Sequence, residues 1–294
     1  MTTPRRRFLE VALAAGALAA LTASTRRARA EAPAAQAAYR AHFGPADLLL
    51  PSHFRPHTRA GVAAYDVVIH QHGVLAWQEG AFARARVNAA LVSVNLGEGS
   101  GPYERYFSDP RALDALVAQI ERALDKSGRA PGARAGRIAL SGWSAGFGGV
   151  GALLAQPTSV QRIDAVLLED GLHTSYVAGS LPDRGVLAKY ASFARLAMQG
   201  DKLFAITHSA VRAPGYASTT ETVSALLDMI AVAKVSIAAS DSGAPFGSGA
   251  RALYEAHRGA LHVRGFAGGG VEEHRDHVRH MDQTLLPLLE TRWT

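Results

Sequence analysis

Six short, unbroken apolar runs separated by helix-length segments restrict the fold more than any other feature of this chain. They occupy residues 65–70, 90–94, 137–141, 165–168, 203–207 and 261–266. A strand with one wet face alternates apolar and polar side chains, whereas a continuously apolar run suits a strand covered on both faces. Between the runs the apolar spacing turns helical. Leu113, Leu116, Val117, Ile120 and Leu124 recur behind Asp109-Pro110, a cap followed by a first-turn proline. Ser218-Thr219-Thr220-Glu221 has capping-box spacing and opens a helix expected over 218–237, with Val223, Leu226, Leu227 and Ile230 inward. Val278, Met281, Leu285 and Leu289 predict one final helix. This alternation predicts the α/β class: a doubly wound, mostly parallel sheet with helices on both faces. No linker, repeat or charge block divides the 294 residues after the leader, so 31–294 is read as a single domain. Segment 179–200 is expected over the strand ends, where a cap would sit.

Charge narrows the partners. The net charge is +6, but residues 1–30 hold six arginines and one acid, leaving 25 basic and 24 acidic residues elsewhere. A near-neutral body has no long-range field for polyanions, so no nucleic-acid partner is expected. The chain has no cysteine, which excludes disulfides, thiolate nucleophiles and a lipoprotein anchor. The leader itself begins basic, continues through an apolar run from Val11 to Leu21 and ends in Ala28-Arg29-Ala30, the order of a signal peptide. That run is shorter than the roughly 20 residues a spanning helix needs, so no stable membrane anchor is expected. Arg5-Arg6-Arg7-Phe8-Leu9 resembles the twin-arginine export signal, which implies a cleaved leader over 1–30 and a periplasmic or extracellular destination.

The sharpest chemical signal is Gly142-Trp143-Ser144-Ala145-Gly146, with a strand predicted before it and a helix-like segment over 149–154 behind it. A tight strand-to-helix turn holds such a serine with its hydroxyl raised above the sheet, and the glycines remove side chains where strand and helix approach. On this motif and the order of its elements the chain resembles the α/β-hydrolase superfamily over most of residues 31–294. The resemblance implies a serine nucleophile at Ser144 and an oxyanion hole. One donor of that hole would be the backbone N–H of Ala145, and the other that of Val74, with Gly73 as alternative, in His70-Gln71-His72-Gly73-Val74. His70 and His72 could also share a strand face as a metal pair, although hydrogen bonding within the loop explains them more simply.

The acid of a triad follows its nucleophile and lies at a strand end. Ala165-Val166-Leu167-Leu168-Glu169-Asp170-Gly171 offers Asp170, with Glu169 as runner-up. The later strand, where the superfamily more usually carries its acid, ends in Thr207-His208-Ser209 without one. The base belongs after the last strand, where His274, His277 and His280 compete behind Gly268-Gly269-Gly270. Asp276-His277-Val278-Arg279-His280 resembles the base-bearing helix start of secreted hydrolases, which puts His277 first and His274 second. His72, Trp143, His208 and Tyr216 are candidates to line a substrate pocket.

The expectation is therefore an exported, carboxylesterase-type serine hydrolase acting on a small-molecule ester, with no metal or organic cofactor. The alternatives are a peptidase or amidase of the same fold, a non-catalytic ligand-binding protein on the same scaffold, and a metal-dependent hydrolase built from the histidines.

Overall fold

The computed structural model describes residues 38–177, 179–212, 214–241 and 246–294; the leader expected over 1–30 lies outside them. In chain order the strands are β1 (Tyr39–Phe43), β2 (Ala46–Leu50), β3 (His57–Arg59), β4 (Val62–Gln71), β5 (Ala89–Val94), β6 (Arg134–Trp143), β7 (Ile163–Glu169), β8 (Tyr176–Val177), β9 (Leu181–Pro182), β10 (Leu203–His208), β11 (Val235–Ser236), β12 (Ala252–Arg258) and β13 (Leu261–Phe266). The helices are α1 (Leu75–Arg84), α2 (Ser100–Phe107), α3 (Ala112–Lys126), α4 (Phe147–Leu154), α5 (Pro157–Arg162), α6 (Arg184–Met198), α7 (Thr219–Ile230), α8 (Val271–Arg279) and α9 (Leu285–Trp293).

All six apolar runs are strands of one sheet, ordered β1-β2-β5-β4-β6-β7-β10-β13-β12-β11, with β3 paired to β4. From β5 through β13 every neighbouring pair is parallel, while β1, β2, β12 and β11 join antiparallel at the two edges. Alternate residues of each central strand enter different cores. Val67, Ile69, Leu140, Val166 and Phe204 pack with residues of α3, α4, α6 and α7. Val68, Ala139, Leu167 and Ala205 pack with Phe82 of α1 and with Met281, Leu285 and Leu289 around α9. Burial on both faces is why these strands carry no polar alternation until their C-terminal ends.

Three helical expectations shift. The capping box forms, with the Glu221 N–H donating to Ser218 Oγ and the Ser218 N–H donating to Glu221 Oε2. However, α7 stops at Ile230, because Ala231 turns left-handed (φ 54°), and residues 235–236 join the sheet. The expected single C-terminal helix is two, parted by a short 3-10 turn at Met281–Gln283. Pro287 accounts for the break: inside a continuous helix its ring would strike the carbonyl of residue 283, whereas it fits the first turn of α9. Segment 179–200, expected above the strand ends, carries α6, whose Leu187, Tyr190, Phe193 and Ala194 join the main core as the crossover from β7 to β10. Among the described residues no helix is long and apolar enough to cross a membrane.

Candidate active site

Three adjacent strands end in a residue with a left-handed backbone. His72 follows β4 (φ 70°), Ser144 follows β6 (φ 48°) and Asp170 follows β7 (φ 46°). Each costs of order 1–3 kcal/mol and persists only where its surroundings hold it. Around Ser144 those surroundings are specific. The chain leaves β6 extended at Trp143, turns through Ser144–Gly146 and enters α4. A Cβ on Gly146 would lie 2.1 Å from the Gln71 carbonyl oxygen, so glycine alone lets β4 and the turn approach this closely. A Cβ on Gly171 would lie 2.8 Å from the Ser144 nitrogen, which fixes how near the end of β7 stands to the serine.

Asp170 is fully buried, and three donors hold its carboxylate. The Ser209 N–H donates to Oδ1 at 2.9 Å, the Ser209 hydroxyl to Oδ2 at 2.5 Å, and His274 Nδ1 to Oδ2 at 2.8 Å. Burial alone would push this carboxyl up. The nearby His277 and the hydrogen bonds from His274 and Ser209 outweigh burial and hold it far below the ordinary carboxylate range.

Of the three competing histidines, His274 is thus the one that meets the acid. Its ring remains partly exposed, its carbonyl accepts from Trp143 Nε1 at 2.8 Å, and the two rings stand 4.8 Å apart. His277, the first expectation, makes no hydrogen bond to Asp170. It is buried beside Phe246 and Phe266, with Nδ1 on Thr207 Oγ1 at 2.9 Å, and burial pushes it down to about 4. Both residues point inward from α8; a helix turns about 100° per residue, so i and i+3 share a face, and only the position of Asp170 separates them. His280 lies further along, 3.8 Å from Asp276.

Of the two expected oxyanion donors, Val74 lies in the loop after β4 and Ala145 in the turn after β6. Val74 caps α1, and Ala145 lies in the first turn after Trp143, so neither backbone N–H has a helical acceptor. Gly73 (φ 119°) backs onto Trp143, with its would-be Cβ 3.2 Å from the indole. His72 stacks on the same indole, at 5.4 Å and 13°, and its Nδ1 meets Tyr103 Oη at 3.0 Å. Burial and the neighbouring His274 push His72 down to about 4.

Beneath this loop runs a buried polar row. His70 Nε2 donates to the His72 carbonyl at 2.8 Å, His70 Nδ1 lies 2.7 Å from Ser141 Oγ, and Ser141 Oγ lies 2.8 Å from Glu169 Oε1. Glu169, the runner-up acid, is therefore bonded to Ser141, and no hydrogen bond joins it to His274, His277 or His280. Both ring nitrogens of His70 are engaged, and among the described residues no three His, Cys, Asp or Glu side chains are grouped to hold a metal. His208 is buried against Tyr254 Oη and the Ser209 carbonyl, so it lines no opening. Tyr216 is exposed on its loop.

Two residues of the cluster escaped the sequence reading. Ser209 stands where the superfamily more often carries its acid; the strand-end position was visible, but a serine there signals no role until Asp170 is seen beside it. Tyr103 ends a Gly-rich stretch that begins at Asn95, and nothing in that pattern singles it out. Its hydroxyl is a hub, accepting from the Leu96 N–H and lying 3.0 Å from Asn95 Oδ1 and from His72 Nδ1.

Strand order, left-handed serine turn and strand-end acid together define the α/β-hydrolase fold. No family model matches this chain, and no curated protein matches it. Among solved structures it is similar to LpqC, a poly(3-hydroxybutyrate) depolymerase from Bordetella parapertussis, at 18% identity and a TM-score of 0.45, over 83% of this chain and 84% of that one. It is also similar to the ester hydrolase EH1AB1 from the metagenome of Lake Arreo, at 12% identity and a TM-score of 0.46, over 94% and 88% of the two chains. A third is the thermophilic esterase Est2 of Thermogutta terrifontis, at 14% identity and a TM-score of 0.41, over 81% and 84%.

Proposed function

We propose that the chain is an exported serine hydrolase that cleaves carboxylic esters through an acyl-enzyme on Ser144, with His274 as base and Asp170 as the acid that orients it. The observation that carries this reading is the 2.8 Å bond from His274 Nδ1 to a buried, ionised Asp170, set beside a serine in a left-handed turn. With Nδ1 committed to Asp170, Nε2 is the nitrogen left to take the Ser144 proton. As Oγ bonds to the ester carbonyl carbon, the carbonyl oxygen becomes negative and accepts from the Val74 and Ala145 N–H groups. The tetrahedral intermediate collapses, the carbon–oxygen bond to the alcohol breaks, and His274 returns the proton to the departing oxygen. Water then repeats the sequence on the acyl-enzyme, with His274 again as base. The leader over 1–30 is proposed to direct export by the twin-arginine route.

The test is covalent labelling by a fluorophosphonate probe together with turnover of p-nitrophenyl esters. The mature chain labels and turns over, and Ser144→Ala does neither while keeping its unfolding midpoint. Equal labelling of wild type and Ser144→Ala overturns the reading.

A further inference from the structure

The row His70, Ser141, Glu169 lies directly under the left-handed turn, and its proton count can be worked out. The His72 carbonyl can only accept, so the proton between it and His70 sits on Nε2. Ser141 has one proton and two short contacts, to His70 Nδ1 at 2.7 Å and to Glu169 Oε1 at 2.8 Å. If His70 were neutral and Glu169 ionised, one of these contacts would set lone pair against lone pair. The row therefore holds one more proton than those two ordinary forms supply. With that proton on Glu169, its hydroxyl donates to Ser141 Oγ, Ser141 donates to Nδ1, and Nε2 donates to the His72 carbonyl. The alternative, a histidinium and a carboxylate at the same total, separates two charges in a dry interior. Burial pushes Glu169 up to about 8 and His70 down to about 3, which favours the neutral form.

We propose that Glu169 is a positioning residue whose protonated carboxyl, acting through Ser141 and His70, anchors the His72 carbonyl and so holds the His72–Gly73 turn that presents the Val74 N–H to the substrate oxyanion. This rests on the serine-hydrolase reading above, in which Val74 is an oxyanion donor. The anchoring is tight because the His72 carbonyl has few other holds. Gln78 Nε2 reaches it only at 3.4 Å, and the strained φ of 70° at His72 gives the turn reason to relax if released.

The proposal makes activity depend on a proton above neutral pH. The titratable groups around the row do not compete there. His72 on the same strand end and His277 on α8 are pushed low, His208 at the end of β10 is lowered, Asp170 is held low, and the Tyr103 phenol is raised. From α1, Gln78 reaches the His72 carbonyl, and Met281 and Leu285 belong to the apolar core that also holds Phe82 of α1.

The experiment measures kcat and KM against pH for wild type, Glu169→Gln and Glu169→Leu, with Ser144→Ala as control and difference infrared spectra at pH 7. The glutamine amide can donate to Ser141 as the protonated acid does, so Glu169→Gln should keep wild-type kcat at pH 7. The wild-type rate should fall above about pH 8, and that fall should vanish in Glu169→Gln. Glu169→Leu should lose kcat about 10- to 100-fold with little change in KM, bounded by the 10²–10³ loss of a whole oxyanion donor. Wild type minus Glu169→Gln should show the stretch of a protonated carboxyl. A Glu169→Gln variant that folds but is as inactive as Ser144→Ala overturns the proposal, as does an unchanged alkaline limb or the absence of that band. Should Glu169→Leu not fold, the glutamine pH profile and the infrared band still decide. Activity surviving in Ser144→Ala is a different failure, that of the serine-hydrolase reading itself.

Discussion

Replacing His274 and His277 separately by alanine tests the proposed site most sharply, because the structure gives the two residues different surroundings. His274 is partly exposed and joined to Asp170; His277 is buried, flanked by Phe246 and Phe266 at 5.3 and 5.5 Å, and bonded to Thr207. Removing a triad histidine costs about a millionfold in kcat, roughly 8 kcal/mol of transition-state stabilisation. In His274→Ala the Asp170 carboxylate keeps both Ser209 donors, so the stability loss should stay near 1–2 kcal/mol, the range for one lost hydrogen bond to a charge. His277→Ala removes an aromatic ring from a packed site and strands the Thr207 hydroxyl, for a loss of about 4 kcal/mol. At about 3 °C per kcal/mol for a chain of this size, its midpoint should fall by roughly 10 °C. Its activity at low temperature should stay within about tenfold of wild type, since the triad contacts survive. Esterase kinetics at 15 °C and calorimetry on both variants supply the numbers. An inactive His277→Ala with an unshifted midpoint, beside an active His274→Ala, would refute the assignment of the base.

Three further outcomes are expected. Ser209→Ala removes one of three donors to Asp170. Because that carboxyl is depressed in the fold, its contribution is present above the unfolded value and lost as pH falls through the folded one, so acid unfolding and the acid loss of activity should both move to higher pH. Gly171→Ala places a methyl 2.8 Å from the Ser144 nitrogen and should cost activity by tenfold or more, read as kcat, with a midpoint several degrees lower. Arg5→Lys with Arg6→Lys should leave the precursor in the cytoplasm on fractionation, because the export receptor distinguishes the planar guanidinium pair from ammonium groups; unchanged secretion counts against the twin-arginine route.

The parts of the fold legible in the sequence are those buried on both sides. Strands β4, β6, β7 and β10 announce themselves as apolar runs, and Gly142 to Gly146 marks the turn between strand and helix. The antiparallel edges were missed for the complementary reason. Tyr39–Phe43 and Ala252–Arg258 alternate in exposure, and their polar residues blur into the flanking loops. Asp170 stands out in the sequence as a strand-end acid followed by glycine. Which histidine lies against it does not, since three lie within seven residues and the choice depends on a contact across 104 residues of chain. The buried row was hidden as well: His70, Ser141 and Glu169 come from three strands and meet only through their register.

The left-handed residues at three neighbouring strand ends set a limit on how this protein can be improved. Glycine adopts such backbone freely, so His72→Gly, Ser144→Gly and Asp170→Gly each relieve local strain of order 1–3 kcal/mol. At His72 and Ser144 the side chains make few bonds that the core depends on. A library selected for heat resistance alone should therefore drift toward glycine there, gathering robust but inert clones. Directed evolution of this scaffold needs turnover in every round of the screen.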